Sequence, residues 1–152
     1  MIFLALDYGQ RRIGVAISDE LEIAAHGLAN IECDEAGSEL GRIAELVKSR
    51  KVERIVVGMP INMDGSLGPQ AHKVHGFIKR LRARLPEVPI ESIDERLTSA
   101  QAHRALSEEG VTLRRRAERV DRMAAQLILA RYLNRRRVQQ RADEAPGEEG
   151  AS

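Results

Sequence analysis

Two short apolar runs near the N-terminus restrict this chain more than any other feature. Ile2, Phe3, Leu4, Ala5 and Leu6 lead straight into Asp7, and Ile13, Gly14, Val15, Ala16 and Ile17 lead into Ser18 and Asp19. Runs of this length bounded by turn formers are strands, too short for helices. The turn Tyr8-Gly9-Gln10-Arg11 between them predicts a hairpin, with Gly9 supplying unusual backbone angles. A carboxylate at the end of a core strand is costly to bury unless something cationic or hydrogen-bonding satisfies it. An arginine, a set of backbone N–H groups or a metal ion would each serve Asp7, and which of them does so decides much of the function.

The remaining elements follow from periodicity. A third strand is expected over about 24–32, completing an antiparallel meander. Leu40, Ile43, Leu46 and Val47 recur at helical spacing and predict a helix over about 38–50. The apolar run 54–58 reads as a strand of the kind buried in a parallel sheet. Pro69 suits the first turn of a helix over about 69–85, and a fifth strand is expected at 90–95. Thr98 and Gln101 have capping-box spacing for a helix of about 99–108, and a last helix spans about 116–137. A meander followed by two helix–strand units is an α/β domain with a mixed five-stranded sheet, strands 1–3 antiparallel and the later strands parallel.

The 152 residues amount to one domain, long enough for a core without disulfides or structural metal. The single Cys33 has no internal partner and reads as an ordinary strand or loop residue, consistent with a reducing compartment. No stretch approaches the length of a membrane span, and the short N-terminal apolar run lacks a basic leader, so a soluble cytoplasmic protein is expected. The net charge is +1, but residues 142–152 carry four acids and no base, which leaves +5 on the first 141 residues. The expected organisation is a folded domain over 1–138 and a disordered acidic tail over 139–152. The basic body permits a phosphate-rich partner.

Three acids stand where such folds place chemistry. Asp7 ends the first strand and Glu95 the fifth, and ligands of open α/β sheets gather outside the carboxyl ends of the strands. Asp121 lies on the last helix among Ala117, Val120, Ala124 and Ile128, on or beside its apolar face. Each acid has an ordinary alternative: a turn former for Asp7, a partner for Arg96 or a helix-dipole contact for Glu95, and a pair with Arg115, Arg119 or Arg122 for Asp121. If they meet, a divalent cation would turn their repulsion into attraction, and an all-oxygen set favours Mg2+ or Mn2+ over zinc. Such sites suit phosphodiester hydrolysis.

Other features are less specific. The connection 57–70 is glycine-rich and meets a helix N-terminus, which could hold a phosphate or be a plain loop; it lacks the Gly-Lys-Ser/Thr of a Walker loop. Arginine and lysine cluster at 79–84, 114–116 and 131–141, and with few aromatics such clusters would read backbone more than bases. His72 and His75 lack a third ligand and read as surface or groove residues.

These residues carry a resemblance. Residues 5–9, 12–16 and 18–19, then 57–60, 62–66, 68–71, 94–98 and 121 with 124–125 and 128–129 together resemble the YqgF family, of the RuvX type. These are RuvC-like relatives of the RNase H fold, described as pre-16S rRNA nucleases or Holliday junction resolvases. The resemblance covers most of residues 2–133 and leaves the acidic tail outside. It implies an RNase H-like fold and a metal-dependent nuclease with Asp7, Glu95 and Asp121 as catalytic, metal-binding acids. It implies structured RNA (pre-16S rRNA) or branched DNA as partner, contacted by Arg11, Arg12, Asn62, Asp64, Ser66, Gln70, Arg96, Thr98 and Arg115. Related resolvases act as dimers, which makes a homodimer an expectation too. A sugar-kinase- or actin-like nucleotide module would need a second such domain, and a non-catalytic nucleic-acid-binding or ribosome-assembly factor would gain nothing from acids facing phosphate.

Overall fold

The computed structural model describes residues 1–95 and 113–144, with side chains for all of these except 113–121. The elements are β1 (Phe3–Tyr8), β2 (Arg12–Ser18), β3 (Ala25–Glu32), α1 (Glu39–Ser49), β4 (Arg54–Met59), α2 (Pro69–Arg84), β5 (Ile90–Asp94) and α3 (Leu113–Glu144). The strands form one sheet in the order β3-β2-β1-β4-β5. β1, β2 and β3 pair antiparallel, whereas β4 pairs parallel to both β1 and β5, as the hydrophobic pattern predicts.

Strand alternation sorts the core into two layers. Leu4 and Leu6 of β1, with Ile13, Val15, Ile55 and Val57, face α1 and α2 through Ile43, Val74, Phe77 and Leu81. Phe3 and Ala5, with Ala16, Val56 and Ile93, face α3 through Ala125, Ile128, Leu129, Tyr132 and Leu133. Central β1 is thus buried on both faces, which is why its sequence is a continuous apolar run. By the same alternation Asp7 falls on the α3 face and Tyr8 on the α2 face, where its ring stacks on Phe77 at 4.3 Å.

The structure changes two sequence expectations. Gly9 has no positive φ; among the described residues the glycines that do are Gly37 and Gly65. Gly9 is needed for space, because a Cβ there would lie 2.8 Å from the Arg12 carbonyl oxygen that accepts its N–H. The last helix is longer than the apolar pattern, running through Glu144 and so covering 139–144. Its extra turns are polar and carry no core signal. β4 covers the expected run 54–58 and extends one residue further, to Met59. The expected helix over 99–108 and its capping box lie outside the described residues.

The docking of α3 gives a direct test. Leu129 is fully buried under the sheet, whereas Val138 is 59% exposed on the same helix. Leu129→Ala is expected to cost about 2–5 kcal/mol in urea unfolding. Val138→Ala should stay within about 0.5 kcal/mol.

Candidate active site

Asp7 is half-buried near the end of β1, and its neighbours on both sides lack side chains. Across the antiparallel pair it faces Gly14, beside which β2 shifts register against β3. Across the parallel pair, Gly58 follows the pairing of Leu6 with Val57. Glycine inside a strand marks a close approach of something else. Here that something is Glu95: a Cβ on Gly58 would lie 2.5 Å from Glu95 Oε2 and 2.5 Å from Ile128 Cδ1. The Glu95 N–H donates to the Met59 carbonyl at 3.1 Å, which continues the sheet one residue past β5 and turns the side chain back over β4.

Asp7 and Glu95 therefore meet, and the electrostatics record it. The Glu95 carboxyl is pushed from its ordinary 4.5 up to about 9. Burial is the largest cause, followed by the charge of Asp7, a hydrogen bond with Asp7 and the charge of Asp94. With no cation present, Glu95 holds its proton at neutral pH and donates it to Asp7. Its Oε2 is buried with no hydrogen-bond partner among the described residues. An acid pair sharing one proton, with a buried oxygen left over, fits a hard divalent cation that would displace the proton and take up that oxygen.

Asp121 lies in α3 one turn before Ala124 and Ala125, which are both fully buried. Its position shares the helix face of Ala124, Ala125 and Ile128; its side chain, like that of Arg115, lies outside the described set. Among the described residues no third His, Cys, Asp or Glu completes a metal-binding cluster with the pair. Arg96 and Thr98 lie outside the described residues. Arg11 is exposed in the hairpin turn and Arg12 is half-buried in β2. Gln70, in the first turn of α2, donates from Nε2 to the Tyr8 carbonyl at 3.2 Å and ties that helix to the end of β1.

Asn62, Asp64 and Ser66 spend part of their hydrogen-bonding capacity on their own loop. Asn62 Nδ2 donates to Ser66 Oγ at 3.0 Å, and Asp64 Oδ1 accepts from the Ser66 N–H at 2.9 Å and its Oγ at 2.6 Å. The Ser66 bonds hold the exposed Asp64 carboxyl below its usual range. Gly65, at φ 88°, closes the turn. His72 and His75 are exposed on α2, as expected of surface residues. Sequence reasoning missed Gly58 as the residue that makes room for Glu95, although a glycine inside an otherwise apolar strand was the available signal.

A mixed sheet of this order, with acids gathered at the carboxyl ends of its parallel strands and a long helix across one face, is the RuvC-like form of the RNase H fold. RuvC of Thermus thermophilus, solved with a Holliday junction substrate, superposes with a TM-score of 0.55 at 19% identity, over 90% of this chain and 96% of that one. The fowlpox virus resolvase, solved with Holliday junction DNA, gives 0.55 at 14% identity, over 89% and 98%. These likenesses concern the fold. The chain belongs to the RuvX family, described as Holliday junction resolvase, whose model matches residues 1–135. Relatives named "Putative pre-16S rRNA nuclease" include one from Halothermothrix orenii, 46% identical over 88% of this chain and 95% of its own length. Another, from Gloeobacter violaceus, is 44% identical over 91% of this chain and 86% of its own.

The acid pair makes a pH prediction for the metal-free protein. The folded pKa of Glu95, about 9, lies above its ordinary 4.5. Its contribution to stability is therefore fully present below about pH 4.5 and is lost as pH rises towards 9. Glu95→Gln removes that loss. In chelator, the melting temperature of Glu95→Gln should gain on the native protein steadily from pH 5 to 9, each kcal/mol appearing as about 2–4 °C. Parallel melting curves across that range would show that the Glu95 carboxyl is not pushed up in the folded protein.

Proposed function

We propose that this protein is a divalent-metal-dependent nuclease that hydrolyses phosphodiester bonds in structured RNA, trimming the 5′ end of pre-16S rRNA during ribosome biogenesis in the cytoplasm. The observation that carries the reaction class is the Asp7–Glu95 pair: one proton shared between two carboxylates, with Glu95 Oε2 buried and without a donor. The names of the relatives support the choice of substrate. No helix among the described residues is long and apolar enough to cross a membrane.

In this reading Asp7, Glu95 and Asp121 are the catalytic acids and hold Mg2+ or Mn2+. When bound, the metal supplies positive charge that activates a water and stabilises the leaving oxygen. The chain's own residues do the rest. Asp7 is fixed by the central strand, so its carboxylate keeps one position against the scissile phosphate. Glu95, already desolvated, would give up its proton where a cation is held. Water adds to phosphorus and gives up a proton, the bond to the leaving oxygen breaks, and that oxygen takes up a proton. Arg11, Arg12, Arg96 and Arg115 supply positive charge towards the phosphates, and Asn62, Asp64, Ser66, Gln70 and Thr98 form the polar edge that contacts the nucleic acid. A homodimer would present two such sites.

A second reading is cleavage of four-way DNA junctions, favoured by the description of the family whose model the chain matches. One assay separates the two: a pre-16S rRNA fragment, an unstructured RNA and a four-way DNA junction, each with Mg2+, Mn2+ or chelator. Cleavage of the rRNA fragment is expected, with a loss of at least about 1000-fold in Asp7→Asn and none detectable in chelator. Symmetrical junction cuts without RNA cleavage would replace the first reading by the second. Cleavage that persists in chelator would remove the metal mechanism.

A further inference from the structure

The exposed face of α2 carries a feature that the acid site does not use. The helix contains Lys73, Lys79, Arg80, Arg82 and Arg84 and not one acid. Lys73, Gly76 and Arg80 stand at i, i+3 and i+7 and so share one stripe, with Lys79 beside it. Together with Tyr8 they line a shallow groove of about 560 Å3. No ion pair among the described residues engages these cations. Uncompensated charge of one sign along a groove attracts a ligand of the other.

Two further observations orient the groove. Arg80 Nη2 lies 3.4 Å from the Tyr8 hydroxyl, whose ring is braced on Phe77. Tyr8 follows Asp7 directly in β1 but faces the other side of the sheet, so the stripe reaches the same end of the sheet as the acid pair from the opposite face. Gly76 is the second. A Cβ there would meet nothing within 4 Å, so packing does not require a glycine at this exposed mid-helix position. Glycine there costs about 1 kcal/mol relative to alanine. What it provides is bare backbone on the groove floor between Lys73 and Arg80. Those residues lie about 10 Å apart along the helix axis, over which one strand of a duplex presents roughly three phosphates.

We infer that α2 is a backbone track. Lys73, Lys79 and Arg80 hold phosphates of the nucleic-acid strand that flanks the cleaved bond, and Gly76 is where that strand comes closest to the protein. The inference rests on the nuclease reading for its direction, but its test does not depend on cleavage. Binding of a fluorescein-labelled RNA duplex and of a labelled four-way DNA junction is followed by anisotropy over a series of salt concentrations, in Asp7→Asn protein so that the probes survive. Adding Lys73→Ala with Lys79→Ala should weaken binding about tenfold or more at low salt and reduce the slope of log K against log salt by about 1.4–1.8, the loss of two phosphate contacts. Gly76→Glu should weaken binding similarly while the melting temperature holds or rises, because glutamate is the better helix former. Loss confined to one probe identifies whose backbone lies in the track. Unchanged affinity and slope for both probes would overturn the track, even if metal-dependent cleavage is found. An altered slope without any cleavage by the Asp7 protein would keep the track and remove the nuclease reading.

Discussion

The crowding of Asp7 and Glu95 into one partly buried space organises this end of the molecule. Two carboxylates that close cannot both ionise without a cation, and the upward push on Glu95 expresses that conflict. The fold holds them there because neither can retreat. Asp7 is part of the central strand, paired on one side with β2 and on the other with β4. Glu95 is anchored by its own backbone to Met59 and lies in the space that Gly58 leaves under Ile128. The apolar layers on both faces thus hold in place an arrangement that is unfavourable taken alone, as is common where a binding site is built into a stable scaffold.

Strand alternation divides the labour between the faces. Asp7 and Tyr8 are consecutive and point opposite ways, the acid towards α3 and the ring towards α2. A register slip of one residue in β1 would exchange them and place Leu6 where the acid belongs. The pairing of Asp7 with Gly14 and of Leu6 with Val57 is therefore as necessary to the site as the acids themselves.

Most of the architecture was legible in the sequence because each strand and helix carries its own apolar period. The continuous runs of β1 and β4 announced burial on both faces, and Pro69 marked the start of α2 to the residue. What stayed hidden depended on residues far apart in the chain. Nothing in the local pattern around Gly58 says that Glu95 will lie across it, and nothing around Gly9 distinguishes a need for space from a need for unusual φ. The end of α3 was misplaced for a different reason: its last turns are exposed and polar, so helix and tail look alike there. The acids themselves were found from their place at strand ends, a topological cue. The encounter of Asp7 with Glu95 needed the strand order β1-β4-β5, which brings residues 88 positions apart side by side.

β5 lies at the edge of the sheet and is hydrogen-bonded to β4 alone. Among the described residues its other margin has no partner strand, although Arg131 donates from Nη1 to the Asp94 carbonyl at 2.7 Å and so fastens the end of the strand to α3. Edge strands open at lower free energy than the centre of a sheet. Asp7 and Glu95 therefore differ in permanence, one carried by the central strand and the other following directly on an edge strand. Amide exchange along β5, compared with β1, reports how often the acid pair comes apart while the rest of the protein stays folded.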